Sequence, residues 1–406
     1  MNGDSLKLQQ STLKNIFLIV AIILISFCMR APITSIGSLT NLIHLDLNIS
    51  NGSIGLIMTL SLFGFAIASP FVAKAGKKFG IGTTIAAALV LIFLGSLCRS
   101  YGDIAGLFAG AIILSLGIAA CNVLLPSIVV LKFPEKIGPM TTVYVVGMGI
   151  LGSIGAGLSY PLANPTGFNW GWQATLFSWS CVAFLAFILW FPYIKETDAS
   201  TKNNSREIKK SSPKEAKSVW KSPLAWMLTI YMGCMSFNFY SLTAWIPSLL
   251  HSYSINPATA GYIAFVFQII GLPASFLTPL FMSKMRNKSI IGIIGGSLYF
   301  TGSMIVLFLH TPLASLIGLS MCGLGGGTCF AWALAMIAFK GENSLRTSQL
   351  SGMMQSCGYL FAAIGPVLTG LIFDITFSWN SLLYAVIITG IMLITFSYLS
   401  SKKDRL

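Results

Sequence analysis

Apolar stretches of about 18 to 25 residues recur from Ile16 to Leu399, separated only by short polar breaks. A helix rises about 1.5 Å per residue, so each stretch can cross a hydrocarbon layer about 30 Å thick. The pattern makes the chain an integral membrane protein built of helices. Outer-membrane strands would alternate apolar and polar residues over about ten positions, and that alternation is missing. Composition agrees: 55% of the 406 residues are hydrophobic and 9% charged, where a soluble domain carries about 25% charged residues.

Twelve spans are expected, near 15–37, 52–73, 80–98, 104–131, 137–162, 172–192, 223–248, 259–282, 289–309, 312–339, 347–372 and 379–399. With both termini in the cytoplasm, 23 of the 25 Lys and Arg residues fall in cytoplasmic tails and loops, leaving Arg99 at an outer helix end and Arg30 inside the first span. That asymmetry is the positive-inside pattern, so the net charge of +14 calls for a lipid bilayer and for no nucleic acid. The first stretch runs into Arg30-Ala31-Pro32 without a small-x-small cleavage site and is read as a retained helix. All eight cysteines lie inside spans with no C-x-x-C pair, and His44, His251 and His310 are far apart, so neither a disulfide framework nor a metal site is expected.

The longest polar segment, 193–221, reads as a cytoplasmic linker between an N-terminal six-helix bundle over 1–192 and a C-terminal one over 222–406. An offset of 206 or 207 aligns Gly55 with Gly261, Gly64 with Gly271, Glu135 with Glu342 and Trp172 with Trp379. Such a 6+6 duplication is the signature of a transporter whose substrate site lies at the midplane between related bundles.

Four segments carry a family resemblance: MRAPITSIGSL ending the first span, ACNVLLPSIVVLKFPEKIG in the fourth, SVWKSPLAWMLTIYMGCMSFNFYSLTAWIPSLL opening the seventh and RTSQLSGMMQSCGYLFAAIGPVLTGLIFD in the eleventh. The chain resembles, over nearly its whole length, the cyanate and 2-nitroimidazole transporter family of the major facilitator superfamily. The resemblance implies an all-α membrane fold of two pseudo-symmetric six-helix bundles. It also implies a proton-linked or facilitative permease of the bacterial inner membrane that works by rocking the two bundles. The superfamily's G-x-x-x-D-[RK]-x-G-[RK]-[RK] loop motif falls on Ser69 to Lys78, where Lys74, Gly76, Lys77 and Lys78 match and Ser69 and Ala73 replace the glycine and the aspartate.

Arg30 is the sharpest signal from the residues themselves, because a guanidinium inside an apolar span costs at least about 2.5 kcal/mol unless it faces water or a partner. The eleven acids all lie in tails, loops or helix ends. Arg30 therefore either holds an anionic or strongly dipolar substrate through paired N–H donors, or snorkels outward to pair with Asp46 or a helix C-terminus. Asn122, Asn238, Tyr240, Gln268, Gln355 and Tyr359 are amides and phenols in apolar surroundings, expected to line the cavity or to knit helices together. Trp245 and Trp332 can stack a flat heterocycle, and Trp245 can equally anchor the membrane interface.

Gly147, Gly149 and Gly152 fit the spacing of a dinucleotide fingerprint, but they lie inside the fifth span with no preceding strand, so a small-residue helix contact at a rocking interface is expected instead. Gly365 and Pro366 mark bendable backbone in the eleventh span. No hydrolase, metalloprotease or phosphate-loop motif is present, which argues against an enzyme. The twofold repeat favours alternating access over a channel. The function expected is secondary active transport of a small anionic or polar nitrogen-containing solute by a monomer without a cofactor. Efflux of drugs or toxic heterocycles is the alternative, and the sequence leaves both direction and proton coupling open.

Overall fold

A computed structural model describes residues 3–165, 167–199, 219–340 and 344–401; most of the linker expected over 193–221 falls outside the described residues. The long helices are α1 Gly3–Cys28, α2 Ala31–Leu47, α3 Asn51–Phe79, α4 Ile81–Tyr101, α5 Ile104–Lys132, α6 Ile137–Ala163 and α7 Gly171–Trp190, followed by α8 Pro223–Ser252, α9 Pro257–Ile269, α10 Gly271–Lys284, α11 Ser289–Phe308, α12 Pro312–Lys340, α13 Ser344–Thr376 and α14 Asn380–Ser401.

Two crossings are broken, and proline explains both. A prolyl ring removes its own N–H and crowds the carbonyl four residues back. Pro32 is four residues beyond Cys28, where α1 ends, and Pro273 is four beyond Ile269, where α9 ends. Taking α1–α2 and α9–α10 as single crossings gives the twelve spans expected from the sequence. Eleven of these are long and apolar enough to cross a membrane by composition alone. The twelfth, α8, is 30 residues long and is interrupted by Ser236, Asn238, Tyr240, Ser241 and Thr243; most of it is buried against other helices, which removes the need for an apolar surface. Short polar side chains close the helix starts: Ser50 accepts from the Ser53 amide, Asp103 from that of Gly106, and Asn256 from that of Ala258.

Helix pairing repeats between the halves. The pairs α4/α5, α4/α7, α2/α6 and α3/α5 in the first half recur as α11/α12, α11/α14, α8/α13 and the α9–α10 crossing against α12 in the second. Between halves, α3 packs on α13, α6 on α9, and α2 on α8. One pair matched by the sequence offset takes equivalent places: a Cβ on Gly55 would meet the Pro366 carbonyl at 2.4 Å, and one on Gly261 would meet that of Gly157 at 3.3 Å.

At the end that the charge pattern assigns to the outside, the halves are pressed together. Gly37 of α2 is so close to α8 that a Cβ there would lie 2.2 Å from the Thr243 carbonyl oxygen. Asp374, near the end of α13, accepts hydrogen bonds from the Asn51 amide (3.2 Å), the Asn51 Nδ2 (3.1 Å) and the Gly52 amide (2.8 Å). The carboxylate thus satisfies the free donors of the α3 N-terminus from across the bundle interface. Asp374→Asn should weaken this seal by about 1.5–3 kcal/mol, the worth of hydrogen bonds to a charged group. The expected result is an alkylation about 10- to 150-fold faster for a cysteine placed at Thr243, measured with the exposed Cys181 replaced. An unchanged rate would show that apolar packing alone holds the seal.

Candidate functional site

A cavity of about 350 Å³ lies between the bundles, lined from α1–α2, α3, α5, α6, α8, α9–α10, α12 and α13. On α5 the lining residues are Ala119, Asn122, Val123 and Pro126, and on α8 they are Met232, Met235, Ser236, Phe239 and Tyr240. Both sets follow the i, i+3, i+4, i+7 spacing of one helical face. They run from the middle of each helix toward its basic end, so the cavity reaches from midplane to the side opposite the Asp374 seal.

Arg30 occupies the break in the first crossing. It is the N-cap of α2, and its carbonyl accepts from the amides of both Ile33 and Thr34 at 3.0 Å. The helix beyond it is fixed on several sides: Thr34 donates to the Gly152 carbonyl at 2.8 Å, Ser38 donates to that of Ala156, and Arg99 donates to that of Pro32 at 2.7 Å. Gly152 leaves room for the Arg30 stem, since a Cβ there would lie 3.1 Å from that of Arg30. The guanidinium turns into the cavity, with its carbon 4.8 Å from the centre of the Phe239 ring and 5.9 Å from that of Tyr240, and one nitrogen donates to the Tyr240 hydroxyl at 3.4 Å. The outward alternative is not taken: Asp46 instead accepts from Trp172 Nε1 at 2.8 Å and from Gln173 Nε2 at 3.2 Å. Among the described residues no acidic side chain lines the cavity. A half-buried cation with aromatic faces beside it and no carboxylate among the described residues is arranged to receive an anion or a strong dipole.

Of the other expected site residues, Asn122, Tyr240, Gln268, Gln355 and Tyr359 join Arg30 on the cavity wall. Tyr359 stands edge-on to Tyr240 at 6.3 Å and to Phe65 at 6.1 Å, and Gln355 donates to Ser351 at 3.1 Å. Asn238, Trp245 and Trp332 lie elsewhere, which corrects the expectation for those three. Asn238 is fully buried and accepts from the Thr389 hydroxyl on α14. Two residues on from Ser236 is a turn of about 200°, which points Asn238 away from the cavity face. Trp245 donates to the Pro366 carbonyl at 2.9 Å and packs against Trp379 at 4.6 Å, so it serves the outer packing between α8, α13 and α14 rather than the lipid interface. Trp332, about half a turn out of phase with the lining residues Gly323, Gly327 and Phe330, donates to the Lys288 carbonyl at 2.8 Å and packs on Tyr231.

The lining also includes Tyr144, Ser236, Phe239, Phe267, Ser275 and Phe330, which sequence reasoning passed over. Ser236 and Phe239 were within reach, since they share the helical face of Tyr240.

The conformational candidates divide. Gly149 is apposed to Leu272 of α10 in the other half, whereas Gly147 packs on Ser26 and Phe27, and Gly152 on Arg30. Gly365 packs within the second half on Ser241 and Phe237, while the Pro366 carbonyl meets Gly55 across the interface. Lys74 and Lys78 are exposed at the basic end, over Phe71 (5.9 Å) and Phe79 (5.1 Å), with Gly76 against Leu124. The Lys77 side chain is outside the described residues.

Known proteins can now be set beside this geometry. The description Major Facilitator Superfamily matches residues 22–351. An uncharacterized transporter of Bacillus subtilis, YycB, is 38% identical over 93% of this chain and 92% of its own. The 2-nitroimidazole transporter of Escherichia coli is 31% identical over 94% of each chain. The inward-open structure of the E. coli xylose transporter XylE superposes with a TM-score of 0.73 at 14% identity, covering 94% of both chains, which bears on fold alone. The chain belongs to the major facilitator superfamily and is a multi-pass membrane transporter, not an enzyme.

Proposed function

We propose that this member of the major facilitator superfamily carries a small anionic or strongly dipolar nitrogen-containing solute, cyanate- or nitroimidazole-like, across the bacterial inner membrane by alternating access. The observation that carries the reading is Arg30: a guanidinium with no carboxylate partner among the described residues, set against Phe239 and Tyr240 in a cavity whose lining has no acid. An anion supplies the missing charge, and a nitro group or carboxylate accepts two N–H bonds in one plane. Phe65, Phe267, Phe330 and Tyr359 offer ring faces to a flat solute, and Asn122, Gln268 and Gln355 offer amides around its edge. The relative that transports 2-nitroimidazole supports this substrate class.

In this reading both termini are cytoplasmic, the cavity of the described state opens inward, and one chain is the working unit. Protons, if coupled, travel with a weakly acidic solute or titrate Glu135, Glu342 or Asp374 at helix ends, because the cavity lining supplies no carboxylate to relay them. The aromatic lining also keeps export of a toxic heterocycle as the second reading. Purified protein in liposomes, given radiolabelled 2-nitroimidazole or cyanate with and without a pH gradient, separates these. Saturable uptake is the expected result, and the sign of the gradient that drives it gives the direction. Flux that rises linearly with concentration would argue for a channel and against the proposal.

A further inference from the structure

Arg99 is the second arginine in the apolar part of the chain, and nothing so far uses its charge. It sits on α4, fully buried. One terminal nitrogen donates to the Pro32 carbonyl at 2.7 Å, while Nε and the other terminal nitrogen have no hydrogen-bond partner among the described residues. Asp103, the acid closest to it in the chain, is engaged in capping α5 through the Gly106 amide. The other polar side chains on its stretch of α4 are hydroxyls, Ser96 bonded to Ser180 of α7 and the buried Ser100. Its backbone has little freedom to withdraw: α5 approaches so closely that a Cβ on Gly110 would lie 2.3 Å from the Arg99 nitrogen.

Position gives this charge a use. Pro32 is two residues from Arg30, and at about 3.8 Å per residue its carbonyl lies within roughly 8 Å of the Arg30 backbone. The guanidinium of Arg99 is therefore held just behind the helix break from which Arg30 enters the cavity. The N-terminus of α2, the positive end of its dipole, lies at the same break. Buried protein rather than water or salt lies between this cation and the cavity, so its field reaches the ligand with little screening.

We propose that Arg99 is a specificity-determining residue that favours anions in the cavity through space, without touching them. The inference rests on the reading of the cavity as an anion site. A unit charge roughly 10 Å from a bound anion, at an effective dielectric of about 20, changes affinity by on the order of ten-fold and leaves a neutral ligand of the same shape almost untouched.

Benzoate and its neutral isostere benzamide are suitable probes, with dissociation constants measured by calorimetry on the purified full chain in detergent. Wild type should prefer benzoate. Arg99→Gln keeps a donor for Pro32 but loses the charge, and should weaken benzoate about ten-fold with benzamide unchanged; Arg99→Lys should keep the preference. Should Arg99→Gln fail to fold, Ser96→Asp sets a carboxylate one turn from Arg99, neutralises it in place, and should cut the same preference. Equal losses for both probes, or none, in the charge-removing or charge-neutralising variant would reduce Arg99 to a tie between α4 and α2 and overturn the inference. Absence of any benzoate preference in wild type would overturn the anion reading of the cavity itself, and this inference with it.

Discussion

Arg30→Ala is expected to abolish specific binding of an anionic or nitro-aromatic ligand, lowering affinity by about 30- to 5,000-fold, the range for truncating one partner of a desolvated charge pair. Folding should be nearly unaffected. The side chain has no ion pair in the described structure to lose; its protein contacts are a 3.4 Å bond to Tyr240 and two ring faces, together about 1 kcal/mol, and removing a cation from the apolar zone offsets part of that. Arg30→Lys should recover little, because an ammonium keeps the charge but cannot present the planar fork that matches a carboxylate or nitro group. Thermal stability and ligand binding measured on all three proteins in one detergent decide the matter. Wild-type affinity in Arg30→Lys would remove the guanidinium from recognition and leave Asn122, Gln268 and Gln355 as the determinants of a neutral substrate.

Gly37→Val should stop transport while leaving the protein folded in the membrane. A Cβ at this position would lie 2.2 Å from the Thr243 carbonyl oxygen and 3.1 Å from that of Ala244, and both are backbone atoms of α8 that no rotamer change can move. The outer ends of α2 and α8 must then separate, which disfavours every state in which that end is closed. Overpacking of this kind costs roughly 3 kcal/mol, enough to shift the closed population about a hundred-fold. Uptake into vesicles should fall to a few per cent of wild type or less. A cysteine at Thr243 should become reactive from outside at the same time. Normal uptake in Gly37→Val would mean that α2 and α8 part at this level in the working cycle at no cost, and that the closed outer end is held elsewhere.

What the residues disclosed in advance, and what they hid, follows from helix geometry. The spans were legible because hydropathy over a window of about twenty residues does not depend on which way each side chain points. Arg30 was legible because a cation in an apolar span has few tolerable environments. Two features of the chain explain the breaks at Met29–Arg30 and Ile270, namely Pro32 and Pro273, although the sequence reading did not use them. Asn238 and Trp245, both on α8, were misplaced for one shared reason. In α8 polar and aromatic residues are spread around the whole helix and most of them are buried, so no apolar stripe marks the face turned from the cavity. The phase of α8 is fixed by tertiary partners, Thr389 for Asn238 and Pro366 for Trp245, which lie more than a hundred residues away in the chain. The Asp374 seal was hidden likewise, since a carboxylate at a helix end looks the same in sequence whether it faces solvent or caps a distant helix.

The polar character of α8 also bears on how the protein is made. By hydropathy α8 is a weaker candidate for a crossing than the helices that flank it, and it is buried against α13 and α14. Those two helices leave the ribosome more than a hundred residues later. During synthesis the polar groups of α8 therefore meet these packing partners only after the later helices have been made. Recognition and biogenesis thus pull this one helix in opposite directions: Ser236 and Tyr240 serve the cavity wall yet lower the hydropathy of the segment, and crossings made later complete its packing.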